Sequence, residues 1–403
     1  MRDGTVILVL DTAELDLAAG DVVVQRGSRH AWSNRGEAPG GRRADRARRC
    51  VRGRCPVSAR IAVIPGDGVG QEVVPEGVRV LSTVDPGLEF VELDWGSARW
   101  ERTGAMMPAD GLAQLRGYDA VYLGSIGWPT VPDHVSLWGG LMPLRKAFEL
   151  YVNLRPVRLL PGIRGPLAGR GPAEIDMLFI RENTEGEYAG TGGFVHSDHD
   201  YGLAVEVPVF TRKGIARCAR YAFEQARQRS GRLISVTKSN ASLYNYVLWD
   251  QVVDEVGTDF PDVTVERVLV DAMAARMVLR PDTVDVVVAS NLFGDILTDL
   301  GAALQGSLGL GASGNINPER RWPSVFEPVH GSAPDIAGRG LANPLGTIWS
   351  GAMMLRHLGD AAVADRVERA IETVCREGRR LTADLGGRAS TREVGDAVLE
   401  ALA

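Results

Sequence analysis

Residues 287–299 read VVASNLFGDILTD: a β-branched run, then Ser290-Asn291, then a helical pattern. The run predicts a buried strand, the Ser-Asn pair a turn, and the remainder a helix. On that helix Asp295 and Asp299 are four residues apart, so both carboxylates project from one side. Two like charges side by side on an apolar segment are costly unless a cation or another positive group neutralises them, or they stand on a solvated face. A third acid, Asp271, ends the short apolar run Val268-Leu269-Val270. Bound cation and solvated helix face are both open readings of these acids alone.

Short apolar strands are expected at 60–64, 120–123, 177–180, 233–237, 263–270 and 284–289, with helical patterns between many of them, as at 73–81 and 214–228. This alternation predicts an α/β fold and argues against a bundle or a repeat array. Two glycine turns follow strands: PGDGVG at 65–70 and GSIG at 124–127. The first spaces its glycines G-x-G-x-G, so the Rossmann fingerprint G-x-G-x-x-G is not met. Each is also what any tight strand-to-helix turn requires.

The 403 residues are 45% hydrophobic and 24% charged, with a formal net charge of -6. That length supports one large α/β domain or two, and the acidic balance argues against nucleic-acid binding. Cys50, Cys55, Cys218 and Cys375 show no metal or redox spacing. No apolar run approaches the roughly 20 residues of a membrane span, and residues 1–10 lack a signal-peptide layout. A reduced, cytoplasmic protein is expected.

Residues 1–59 differ from the rest. Strands are expected at 6–10 and 22–24, with turns at 20–21 and 26–27, and Gly20, Gly27, His30 and Asn34 resemble the second motif of the cupin β-barrels. A cupin metal site needs clustered ligands, and His30 is the segment's single histidine. A cupin-type binding protein is therefore a poor reading of the whole chain. The arginine-rich stretch 40–60 has little apolar periodicity and is expected to be disordered. The segment reads as a fusion scar or a misassigned start, with the main α/β chain beginning near Ser58.

Three arginines recur in LRK (Arg145), NLRP (Arg155) and IRE (Arg181). A guanidinium fork matches the two oxygens of a carboxylate. Pro156 forces Arg155 to be extended, so Arg145 and Arg155 cannot share a helix face. Tyr188 in RENTEGEY and Lys238 in TKSN follow strands, where a proton-transfer group can sit. Each of these is equally an ordinary surface or loop residue when taken singly. Together they suit a metal-bound substrate that carries carboxylates and exchanges a proton.

PGDGVG, NLRPVRLLPG, RENTEGEY, TKSN, SNLFGDILTDLGAAL and FEPVHGSAPDIAGRGLANP, in order over about residues 60–403, resemble the β-decarboxylating dehydrogenases. That family includes the isocitrate, isopropylmalate, homoisocitrate, and tartrate or D-malate dehydrogenases. The resemblance implies a non-Rossmann two-domain fold. A large NAD-binding domain from 60–150 and 306–403 would carry an inserted smaller metal, substrate and dimerisation domain at 151–305. It implies that Arg145, Arg155 and Arg181 clamp substrate carboxylates and that Asp271, Asp295 and Asp299 hold Mg²⁺ or Mn²⁺. Lys238 would assist removal of the hydroxyl proton, and Tyr188 would protonate the enol. Asp271 and Lys238 would come from the neighbouring subunit of a homodimer.

The loop Gly331-Ser332-Ala333-Pro334-Asp335 resembles the family's adenosine loop, with Asn343 as the adenine contact. A carboxylate at Asp335 would accept from the ribose hydroxyls and repel a 2′-phosphate, which favours NAD. Substrate choice is expected in 137–145. Gly139 and Leu141 offer no donor to the third carboxylate of isocitrate. Trp138 and the run SLWGG resemble the tartrate and D-malate branch, and an indole would crowd an isopropyl group. The expected reaction converts D-malate to pyruvate, CO₂ and NADH, with 3-isopropylmalate oxidation as the alternative.

Overall fold

The computed structural model describes residues 59–403 and, of the first 58, the backbones of Val6–Leu10 (β1), Glu14–Leu17 (β2) and His30–Asn34 (β3). These three form an antiparallel sheet in the order β2-β1-β3, with Leu8 opposite Leu15 and Trp32. The strand expected at 22–24, the two turns, the arginine-rich junction and the side chain of His30 lie outside the described residues. Met1–Ser58 and Ala59–Ala403 are separate compact units.

Within the second unit the strands are Arg60–Gly66 (β4), Glu89–Glu92 (β5), Ala120–Ser125 (β6), Val152–Arg158 (β7) and Asp176–Glu182 (β8). Gly192–Val195 (β9) and Leu203–Glu206 (β10) pair only with each other. Arg232–Thr237 (β11), Thr264–Leu269 (β12), Val286–Ala289 (β13), Ala312–Ile316 (β14) and Ser324–Pro328 (β15) complete the set. Apart from the β9–β10 hairpin they form one ten-stranded sheet in the order β12-β11-β13-β8-β7-β14-β15-β6-β4-β5. Its centre, β8-β7-β14-β15, is antiparallel, and the two wings are parallel.

The helices are Gly70–Val84 (α1), Ser97–Thr103 (α2), Gly111–Leu115 (α3), Asp133–Gly139 (α4), Leu141–Ala147 (α5) and Arg212–Gln228 (α6). Asn245–Gly257 (α7), Val270–Leu279 (α8), Asn291–Leu304 (α9), Leu345–Leu358 (α10), Ala361–Glu377 (α11) and Thr391–Leu402 (α12) follow. β6 and β13 are buried at every residue. Their unbroken apolar runs are those of strands covered on both faces. No helix among the described residues is long and apolar enough to cross a membrane.

The decisive stretch folds as read: β13 ends at Ala289, Ser290 stands at the N-cap position with its hydroxyl paired to Tyr246 rather than to the helix, and α9 begins at Asn291. One boundary differs in a way that matters. The strand expected over 263–270 stops at Leu269, and Val270 begins α8, so Asp271 lies in a first helical turn. Apolar periodicity does not separate a strand's last residue from a helix's first. An acid there interacts favourably with the helix dipole.

The two glycine turns dock on each other. A Cβ at residue 66 would lie 2.0 Å from the Ser125 carbonyl oxygen, and one at 124 would lie 2.2 Å from that of Pro65. The buried carboxylate of Asp67 accepts from the Ser97 N–H at 2.8 Å, the Ser97 hydroxyl at 2.7 Å and the Gly127 N–H at 2.8 Å. Asp67 thereby ties the carboxyl ends of β4 and β6 to the start of α2, a role that glycine spacing did not reveal.

Candidate active site

Asp295 is the focus of a charged cluster that gathers two of the three arginines. Residues 291, 295, 298 and 299 share one face of α9, and that face meets the ends of β7 and β8. Arg181 on β8 directs Nε (3.0 Å) and Nη2 (2.7 Å) at the Asn291 side-chain oxygen, and its Nη1 pairs with Asp295. Gly294 makes this approach possible, since a Cβ there would lie 2.6 Å from Arg181 Cγ. Arg155 on β7 donates Nη1 to Thr298 Oγ1 at 2.6 Å. The same nitrogen lies 3.3 Å from Asp295 Oδ1 and 3.7 Å from Asp299 Oδ1. Arg145, near the end of α5, donates Nε to Asn315 Oδ1 at 3.0 Å and places Nη2 3.7 Å from Glu327 Oε1.

Tyr188 sits in a single 3₁₀ turn, Glu187–Ala189. Its hydroxyl donates to Asp295 Oδ2 at 3.0 Å, and its ring lies under the Arg181 guanidinium, 5.5 Å from the centroid. Three arginines, two aspartates and the tyrosine expected from sequence thus converge within one chain.

The electrostatics follow from burial against pairing. Burial pulls Arg181 down to about 9, with Asp295 opposing, and lowers Arg145, with Glu327 opposing. For Asp295, burial disfavours the charge, but Arg181 and Arg155 outweigh it and hold the carboxyl below its ordinary value. Asp299 is pushed up, mainly by burial and further by Asp295, with Arg155 opposing. Burial and Asp295 raise Tyr188, so its phenol keeps its proton through the neutral range.

Lys238, just past β11, and Asp271 form a second, separate group, joined at 2.5 Å (Nζ to Oδ1). The Lys238 hydrogen bond, the largest influence, lowers the Asp271 carboxyl. A single chain does not bring Asp271 together with Asp295 and Asp299: no group of three metal-binding side chains occurs among the described residues.

Trp138 on α4 is 39% exposed and lies against the turn that follows Tyr188. A Cβ at residue 190 would meet its ring at 2.4 Å, so glycine there lets the indole lie flat on the chain. Lys146 secures it, with Nζ 4.6 Å from the indole centroid and donating to the Ala189 carbonyl at 2.8 Å. Leu141 is buried in an apolar cluster with Leu144, Phe148 and Leu150, where its contacts are packing contacts.

The loop containing Gly331, Ser332, Ala333 and Asp335 packs on the first glycine turn. Val69 N–H donates to the Ser332 carbonyl at 2.9 Å, and a Cβ at 68 would lie 2.0 Å from that oxygen. Ala333 has φ 38°, a conformation costly for a residue with a Cβ. Glu72 accepts from the Gly338 and Gly340 N–H groups at 2.5 and 2.7 Å, bracing the loop from α1. Asp335 is exposed. The Asn343 amide is committed internally, accepting from Leu345 N–H and donating to Asp384, both at 3.0 Å. Sequence reasoning missed Asn291, Thr298, Asn315, Glu327 and Glu72. Asn291 and Thr298 were legible as members of the Asp295 face of α9, whereas Asn315, Glu327 and Glu72 carried no local signal.

Residues 60–398 match the isocitrate/isopropylmalate dehydrogenase family model. The chain belongs to that family. It is 49% identical over 350 residues to a probable tartrate dehydrogenase/decarboxylase of Agrobacterium vitis, covering 85% of this chain and 98% of that one. It is 48% identical over 351 residues to the D-malate dehydrogenase [decarboxylating] of Escherichia coli (strain K12), with 84% and 97% covered. It is also 48% identical over 351 residues to a 3-isopropylmalate dehydrogenase of Thermobifida fusca (strain YX), with 86% and 98% covered. The crystal structure of isocitrate dehydrogenase from Methylococcus capsulatus superposes with a TM-score of 0.79 at 36% identity, covering 85% of this chain and 99% of that one. The family's mixed α/β fold is the one that the motif resemblance implied, and it agrees with the missing Rossmann fingerprint.

Proposed function

We propose that this family member catalyses the NAD-dependent oxidative decarboxylation of a small 2-hydroxy diacid, D-malate or tartrate, with Mg²⁺ or Mn²⁺. D-malate would yield pyruvate, CO₂ and NADH. The observation that carries the reading is the charge balance of the Asp295 cluster. Three guanidiniums (Arg145, Arg155, Arg181) are paired with three carboxylates (Asp295, Asp299, Glu327). A dianionic substrate entering a balanced, largely buried cluster adds two uncompensated charges unless a divalent cation enters with it. Asp295 and Asp299 are hard oxygen donors flanking one Arg155 nitrogen, which suits such a cation, and Asp271 of a second copy would complete the set.

Bound NAD would supply the hydride acceptor and the divalent cation the Lewis acid. The residues of the chain do the rest. Arg145, Arg155 and Arg181 orient the substrate carboxylates. Lys238 takes the hydroxyl proton during oxidation, and the Tyr188 phenol returns one to the carbon that has lost CO₂. Asp335 and the loop from Gly331 to Ala333, braced by Val69 and Glu72, receive the adenosine half of NAD, and Asn343 borders the adenine. Trp138 narrows the space beyond C3, and Leu141 supports that wall from beneath.

A homodimer with shared sites is part of this reading. It is supported by the Lys238–Asp271 pair, whose carboxylate forms no metal-binding group of three with Asp295 and Asp299 among the described residues. It is supported also by the β9–β10 hairpin, which leaves Phe194, Val195, Leu203 and Val205 exposed. The two domains, 60–150 with 306–403 and 151–305, would meet along the β7–β14 pairing.

The test is kcat/KM for D-malate, tartrate, 3-isopropylmalate and isocitrate with NAD and Mn²⁺. D-malate is expected to be best or near best, and isocitrate essentially inert. Crowding by the indole should cost 3-isopropylmalate about 1–3 kcal/mol. A higher kcat/KM for 3-isopropylmalate than for D-malate would overturn the substrate assignment.

A further inference from the structure

We propose that Asn315 is a positioning residue that aims Arg145 at the substrate carboxylate and joins both halves of the sheet through a single amide. The proposal rests on the reading of Arg145 as a diacid-binding group. Asn315 is fully buried on β14, the strand that pairs with β7 at the antiparallel centre. Its Oδ1 accepts from three side chains on three different segments: Arg145 Nε on α5 at 3.0 Å, Asn153 Nδ2 on β7 at 3.0 Å and Asn183 Nδ2 after β8 at 2.9 Å. Its Nδ2 donates to Glu327 Oε1 on β15 at 2.7 Å, the same oxygen that lies 3.7 Å from Arg145 Nη2.

The geometry holds one edge of the Arg145 guanidinium, Nε and Nη2, between an amide oxygen and a carboxylate. The opposite edge, Nη1, has no hydrogen-bond or ionic partner among the described residues and would face an incoming anion. The chemistry suits an amide at 315. An apolar residue would leave Arg145 Nε without its acceptor and would remove one of two from Asn153, which also donates to Ser313, and from Asn183, which also donates to the Leu150 carbonyl; a carboxylate would face Glu327 directly. The amide donates to Glu327 while accepting from the other three. Neutral Asn315 also leaves Arg145 one buried counter-charge rather than two, so no second carboxylate opposes an incoming anion there.

Asn315→Asp is the direct test, since it keeps the shape and the acceptor but loses the donor and adds a charge. At pH 8.5 the KM for D-malate should rise about tenfold or more, with kcat within about threefold of the parent. The defect should shrink toward pH 6, because two facing carboxylates share a proton more readily than one. A merely structural change would show no such pH dependence. The exchange Asn315→Asp with Glu327→Gln restores one amide and one carboxylate, and should bring KM back to within about threefold of the parent. The proposal is overturned if Asn315→Asp leaves KM unchanged, lowers kcat alone, or raises KM equally at both pH values. Should that variant fail to fold, the exchange variant decides, with a tenfold rise in its KM counting against the proposal. If the parent prefers 3-isopropylmalate, the substrate assignment fails separately. The same KM comparisons are then made with that acid, whose carboxylates Arg145 would meet in the same way.

Discussion

The Arg181–Asp295 pair has a guanidinium 2% exposed, whereas the members of the Lys238–Asp271 pair are 30% and 65% exposed. The first is embedded in a network: Asn291 holds two nitrogens of Arg181, Tyr188 holds the second oxygen of Asp295, and Arg155 approaches the first. The second has one partner on each side among the described residues. An exposed pair of that kind contributes little to stability, while breaking a buried pair costs about 3–5 kcal/mol. Burial therefore separates two kinds of proposed catalytic residue in one chain. One kind also supports the fold, and the other, in the proposed homodimer, would serve the site of a neighbouring chain.

The largest effect should follow Asp295→Asn, which keeps the shape but removes a proposed cation ligand and the counter-charge of Arg181. A fall in kcat/KM of about a thousandfold or more is expected, partly recovered by excess Mn²⁺. A lower denaturation midpoint should accompany it, because Arg181 loses its ionic partner. An unchanged metal requirement would break the assignment.

Lys238→Met should reduce activity about as severely, by roughly 10²–10⁴ in kcat, yet leave the denaturation midpoint close to the parent. A large loss of stability would show the pair to be structural and erase the contrast. Mixing Lys238→Met chains with Asp295→Asn chains sharpens it further. If sites are shared across a two-fold axis, half of the reassorted dimers carry one intact site, giving about a quarter of parental activity. No recovery after confirmed subunit exchange would place Lys238 and Asp295 in the same chain's site.

Tyr188→Phe should give a smaller and more selective defect, in which added oxaloacetate is decarboxylated more slowly while hydride transfer is less affected. Parental decarboxylation of oxaloacetate would assign Tyr188 another task. The smallest effect should come from removing residues 1–57. A chain beginning at Ser58 should keep its activity and its melting temperature, since Ala59–Ala403 is a compact unit by itself. A tenfold loss would make the segment integral.

Local pattern made much of this legible. The β-branched run 286–289, the Ser-Asn step and the four-residue spacing of Asp295 and Asp299 place a strand, a cap and a shared helix face. Pro156 alone separates Arg155 on a strand from Arg145 on a helix. Other features left no trace in periodicity. Asn315 lies far in sequence from the three residues that donate to it, and the run around it, ASGNI, carries too little apolar pattern to have been expected as the strand it forms. Leu141 stands four residues before Arg145 on the same short helix, and only the packing of α5 shows it facing Leu144 and Phe148.

The sequence by itself determined the α/β class, the strand-to-helix unit that presents Asp295 and Asp299, and the identity of the charged residues. Each of these depends on neighbours within one or two turns, where backbone geometry converts spacing into direction. Tertiary structure alone decided which charges meet. It brought Arg145, Arg155 and Arg181 together from a helix and two strands, balanced them against three carboxylates, and left Lys238 with Asp271 apart from them. Buried charges tolerate one another only in compensated sets, and such a set can be assembled only after the sheet has closed segments distant in sequence upon each other.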